Sequence, residues 1–241
     1  MSRKKVAMNE GEKTWVWVMI FGLAVITYFF LSTMSCTSVQ KPDVSPVKPI
    51  VTVLPSPIPI IEIPALSWEN TIAPHPERKP WSKLLWGFIE QRFEHLDKAK
   101  DIVKFCPKYA SLSHFQKVQV WCELFVATTY YESAYDPTNE SVDVGDEGDK
   151  NTWSVGLMQV SQTDIANYKI RDMSYTYKDL LTPGPNLDLA SALLATQIDK
   201  VCTVLIGPGR RYLYWATLHP GGLYDESKGI ISRVQKLSFC K

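Results

Sequence analysis

The chain has 241 residues, enough for one domain of common size with accessories. Lysine and arginine (26) nearly balance aspartate and glutamate (25). The net charge of +1 therefore points neither to a nucleic-acid partner nor to an acidic tail. With 45% hydrophobic residues the chain can build a core, and sixteen unevenly placed prolines divide it.

At the N-terminus, Arg3, Lys4 and Lys5 precede an uncharged run from Thr14 to Leu31 that is rich in Trp, Val, Ile and Phe. The run is near the minimum for a spanning helix and longer than a usual cleaved signal core. No polar face recurs in it at helical spacing, so a buried core helix is the poorer reading. The basic side stays cytoplasmic, which places the rest of the chain outside the cytoplasm. Leu31-Ser32-Thr33-Met34-Ser35-Cys36 resembles a lipobox, with Thr33 where leucine is usual and a bulky Met34, so Cys36 is a lipidation candidate. An uncleaved anchor with an incidental Cys36 is the alternative. Residues 1–36 are thus a signal or membrane anchor, and either reading tethers the remainder to a membrane.

Residues 37–79 form a linker. Pro42, Pro46, Pro49, Pro55, Pro57, Pro59 and Pro64 remove backbone donors and fix φ, which predicts an extended spacer rather than a helix or central strand. Beyond Cys36 the cysteines are Cys106, Cys122, Cys202 and Cys240, an even set suited to an oxidising compartment. Three connectivities are open, and pairing Cys202 with Cys240 and Cys106 with Cys122 is the favoured one. No two cysteines lie close in sequence and the four histidines are scattered, so no metal site is expected. No cofactor is indicated either.

The folded domain is placed at residues 80–241 and reads as mainly α. A helix is predicted from Trp81 to Phe105. Ser113 and Gln116 offer a capping box for a second helix. In it Phe115, Val118, Cys122, Phe125 and Thr129 recur at spacings of three and four, and Glu132 continues the series. Asp136-Pro137 ends the helix. A glutamate on a buried stripe beside Tyr130, Tyr131 and Tyr135 would be desolvated and hold its proton near neutral pH, as a general acid must. A surface glutamate in the last turn is the bland alternative, and helix geometry alone favours it.

Downstream the chain reads Ser154-Val155-Gly156-Leu157-Met158-Gln159. Together with Glu132-Ser133 and Pro137, this resembles the catalytic core of the soluble lytic transglycosylase and goose-type lysozyme family, over roughly residues 110 to 235. A weaker third segment begins at Pro185-Asn186. The resemblance implies a lysozyme-like helical domain with Glu132 as its single catalytic acid. It also implies that Ser133, Met158 and Gln159 belong to the sugar cleft. The family's Ala-Tyr-Asn-Ala-Gly segment is nearest to Leu213-Tyr214-Trp215-Ala216-Thr217, so Tyr214 would face the acid. Trp215 replaces the asparagine and Thr217 the glycine.

Asp143, Asp146, Glu147 and Asp149 form an acidic loop. A solvated turn is its common reading, and its spacing misses the calcium-loop pattern. In goose-type lysozymes such a loop helps position water, so Asp143, Asp146 and Asp149 are candidates for holding water or an amino sugar. Among many aromatics, Trp153 and Tyr214 are the best cleft candidates; most others should be core. Leu187 to Val204 reads as a central buried helix, while Gly207-Pro208-Gly209 and Pro220-Gly221-Gly222 signal turns.

The reading that results is a membrane-tethered, extracytoplasmic enzyme whose partner is the peptidoglycan glycan strand. It would cut the β-1,4 bond between N-acetylmuramic acid and (N-acetyl)glucosamine, with de-N-acetylated glycan favoured if the acidic loop attracts cationic sugars. Hydrolysis is slightly favoured over formation of 1,6-anhydromuramyl ends. A catalytically silent wall-binding module is the rival from another class.

Overall fold

A computed structural model describes residues 62–142, 148–206 and 214–241. The expected membrane segment, Cys36, the prolines up to Pro59, and Asp143, Asp146 and Glu147 lie outside those residues, as does the Gly207–Gly209 turn. No helix among the described residues is long and apolar enough to cross a membrane.

The packed body begins well before Pro80. Leu66 and Trp68 are fully buried, and 3₁₀ turns form at Ser67–Glu69 and Pro76–Arg78. Ser67 donates its backbone N–H and its hydroxyl to the two carboxyl oxygens of Glu123, at 2.9 and 2.6 Å. Burial pushes the Glu123 carboxyl up, against these hydrogen bonds. Trp68 Nε1 donates to Ser82 Oγ at 2.8 Å, and Ser82 Oγ donates to Glu69 Oε1 at 2.5 Å. The end of the proline-rich stretch is thus a docked strap and not a free spacer.

Helix α1 (Lys79–Leu96) starts with Pro80 in its first turn, where a missing N–H costs nothing. It stops at Leu96, short of the predicted Phe105. Long-range bonds take over there: Lys100 N donates to the Cys202 carbonyl, and the Asp101 carboxylate accepts from Val204 N and Leu205 N, all at 2.8 Å. Ile102–Lys104 becomes a 3₁₀ turn, with Ile102 and Phe105 still in the core.

Helix α2 (His114–Ser133) opens on the expected Ser113–Gln116 capping box. Its segment from Val120 to Thr129 is buried on every side, so α2 is the axis of the domain. A two-stranded antiparallel pair, β1 (Glu140–Ser141) and β2 (Ser154–Val155), follows. Short helices α3 (Gln162–Asn167) and α4 (Tyr177–Leu180) lead to α5 (Pro183–Val201), which is buried along most of its length. The last helix is α6 (Ser227–Val234). α1 packs chiefly on α5 and α2, and α6 lies on α2.

The favoured cysteine pairing does not form. Cys106 bonds to Cys240, 134 positions away, with Cα atoms 4.7 Å apart. Cys122 is a free, buried thiol, because the α2 face that carries it points into the core. Cys202 is itself disulfide-bonded and does not pair with Cys240.

Candidate active site

Glu132 occupies the last turn of α2. Ala134 (φ 52°) and Tyr135 (φ 68°), both left-handed, turn the chain sharply just beyond it. Neither residue is glycine, so the turn holds strain beside the carboxyl. Opposite lies the Gly156–Gln159 turn, closed by Val155 N–H to Val160 C=O and Val160 N–H to Val155 C=O at 3.0 and 3.2 Å.

Nearly every polar atom of that turn is tied down. Asn186, fully buried at the start of α5, donates to the Val155 and Leu180 carbonyls and accepts from Met158 N, at 2.8 to 2.9 Å. Ser133 Oγ donates to the Leu157 carbonyl at 2.9 Å, and Trp215 Nε1 donates to the Met158 carbonyl at 2.8 Å. Thr129 Oγ1 contacts Met158 Sδ at 3.0 Å. Gly156 (φ +73°) has no room for a Cβ, which would fall 2.4 Å from the Leu180 carbonyl oxygen. Asn139 spans the two halves: its carbonyl accepts from Gly156 N, and its Nδ2 donates to the Glu132 carbonyl at 3.4 Å.

Between these halves runs a cleft of about 930 Å³. Glu132, Gln159 and Tyr214 all line it. Ser133 and Met158 do not line it; they sit beneath it as supports for the turn. Trp153 is also outside the lining and stacks edge-on against Tyr177, with centroids 6.2 Å apart. Asp149 caps the short turn at Lys150–Thr152 by accepting from Asn151 N and does not itself line the cleft.

Burial raises the Glu132 pKa from an ordinary carboxyl value to about 7. One hydrogen bond works in the opposite sense: Thr217 Oγ1 donates to Glu132 Oε1 at 2.5 Å. Oε1 is therefore occupied, and Oε2 is left to carry a transferable proton. Tyr214 does not reach Glu132. Its hydroxyl donates to Asp164 Oδ2 and, at 3.3 Å, to the Gln159 carbonyl. Burial and the neighbouring Asp164 push the Tyr214 phenol well above its usual range, so it stays a donor.

Four carboxyl groups line the cleft, Glu132, Asp164, Asp225 and Glu226, with no lysine or arginine among the described lining residues. Three are already bonded. Asp164 accepts from Tyr214 and from Ser161 N, and Asp225 from Gly221 N and Ser227 N. Glu226 has no side-chain partner among the described residues. Among the described residues no group of His, Cys, Asp or Glu could hold a metal ion.

Sequence reasoning alone did not find Thr217, Asp164 or Trp215 as parts of the site. Asp164 had a local signal, since it lies three residues after Ser161 in a capping box for α3. Thr217 and Trp215 showed only as departures from a family segment. Their partners are 85 and 57 positions away.

A search of curated proteins finds no match. Solved structures of a protein called DslA (Bd0314) are similar. A wild-type form is 27% identical, covers 73% of this chain and 98% of that one, and superposes with a TM-score of 0.61. Two glutamate-to-glutamine mutants of it are 26% and 25% identical, each covering 73% of this chain and 97% of that one, with TM-scores of 0.60 and 0.58. The family description "Transglycosylase SLT domain" matches residues 111–216, which hold Glu132, the Gly156–Gln159 turn and Tyr214. Residues 111–216 thus match a transglycosylase SLT domain, which is of the lysozyme-like kind.

Proposed function

We propose that this chain cleaves the β-1,4 bond between N-acetylmuramic acid and the following glucosamine residue of peptidoglycan, with Glu132 as general acid. The observation that carries the reading is one carboxyl, held protonated near neutrality by burial, at the wall of an open cleft. Glu132 Oε2–H would protonate the glycosidic oxygen as the C1–O bond breaks. In hydrolysis a water then adds to C1 and returns a proton to Glu132. In transglycosylation the muramyl 6-hydroxyl adds instead and its proton goes to the same carboxylate. The match of residues 111–216 to a transglycosylase SLT domain favours internal attack, and so does the engagement of Asp164 and Asp225 in bonds of their own.

The same cleft favours glycan that has lost N-acetyl groups. A lining with four carboxyl groups and no described cation would draw an ammonium sugar. Glu226, whose side chain has no partner among the described residues, supplies a carboxyl group to meet it. The enzyme works outside the cytoplasm, tethered to a membrane by its N-terminal segment. The Cys106–Cys240 bond and the export-like sequence support that placement.

Digestion of native and chemically deacetylated sacculi, followed by mass analysis, tests all of this. Anhydro ends are lighter than reducing ends by one water. Faster release from deacetylated material is expected, and equal rates would remove the amino-sugar preference. Glu132→Gln should lower release by about 10²- to 10⁴-fold. Unchanged release by that variant would instead favour a binding module.

A further inference from the structure

Seven large hydrophobic side chains are exposed among the described residues, and two of them, Leu223 (89%) and Tyr224 (67%), are adjacent and lie on the cleft. Their interest lies in the place: two neighbouring apolar side chains exposed at the wall of a ligand-sized groove. The loop that presents them is built to be rigid. His219 to Gly222 forms a type II turn, with Pro220 at its second position and Gly221 (φ +79°) at its third, closed by Gly222 N–H to the His219 carbonyl at 2.9 Å. Asp225 then locks the far side by accepting from Gly221 N and Ser227 N, each at 2.9 Å. Glu226 N donates to the Thr217 carbonyl at 3.0 Å, so the loop is fastened to the residue that holds Glu132.

We infer that Leu223 and Tyr224 form an apolar subsite on which the face of a pyranose ring of the glycan strand stacks, beyond the bond that is cut. This inference rests on the glycan-cleaving reading. A sugar ring presents C–H groups on its faces and hydroxyls on its edges. An aromatic ring beside an aliphatic side chain takes the face, while the polar cleft wall receives the edges. Neither side chain contributes to the core, so each is free to serve a ligand. The subsite fixes the register of the strand: a ring seated on Tyr224 limits which glycosidic oxygen reaches Glu132.

The test uses soluble, peptide-free glycan strands and measures both steady-state turnover and binding in a Glu132→Gln background. Tyr224→Ala should raise KM and weaken binding by about tenfold, the scale of one apolar face returned to water, with most of the loss in KM rather than kcat. Tyr224→Phe should restore binding, and Asp225→Ala, which frees the loop, should lose it. Because Tyr224 is exposed, its variants should melt at the wild-type temperature. Wild-type cleavage with unchanged KM and binding in Tyr224→Ala and Leu223→Ala would overturn the subsite alone. Absence of cleavage and of glycan binding by the wild-type chain would overturn the function on which it rests.

Discussion

Glu132 is governed by two opposing effects, and their balance gives a sign for pH dependence. Burial raises the carboxyl pKa, and the Thr217 hydroxyl, which favours the charged form, lowers it; burial wins, and the group titrates at about 7. The protonated form is the acid, so turnover should be full below pH 7 and fall as pH rises through that value. Thr217→Val removes the donor that stabilises the carboxylate. The alkaline limb of the kcat profile should then move to higher pH, and Thr217→Ser should bring it back. An unmoved limb in Thr217→Val would show that the hydroxyl does not act on Glu132. The strain at Ala134 and Tyr135 belongs to the same residue-level picture: two left-handed residues without glycine are kept where the chain must leave the helix directly after its acid.

At the level of elements, two glycines separate steric need from mere tolerance. Gly156 sits at φ +73°, with Asn186 Nδ2 and the Leu180 carbonyl within 2.4 Å of any added Cβ. Gly156→Ala must strain the backbone and push α5 from the turn. It should cost about 3 kcal/mol or more and lower activity with it. Gly87, inside α1, has open space around it. Gly87→Ala should stabilise by about 0.5–1 kcal/mol through helix propensity. Thermal melting of the two variants checks both signs, and matched signs would refute the packing described for the turn. The elements themselves were largely legible in the sequence. The Ser113–Gln116 box, the α2 stripe and the Gly156 turn are local patterns whose causes lie within a few residues. The end of α1 was not legible, because apolar residues continue to Phe105 and the chain leaves the helix only for bonds to Cys202, Val204 and Leu205.

Across the whole molecule, what the sequence conceals is long-range closure. Proline content suggested a spacer, yet Leu66 and Trp68 are core residues, docked through Ser67 onto Glu123 some 56 positions on. The favoured pairing likewise had Cys202 securing Cys240, but the bond formed is Cys106–Cys240. That bridge joins the chain just before α2 to the residue before the C-terminus, and so encloses α2 to α6 and every cleft residue. Closing a loop of 134 positions restricts the unfolded chain severely, by about 4–5 kcal/mol in the chain-entropy account. Replacing both Cys106 and Cys240 by alanine should therefore lower Tm by roughly 10 °C. Cys122→Ala trims a buried free thiol and should cost only about 1 kcal/mol. If the double variant melted with wild type, the bridge would not restrain the fold. If it melted early yet kept the Glu132 pH profile at low temperature, the bond would hold the domain closed without shaping the acid's surroundings, as the packing of Glu132 against Thr217 implies.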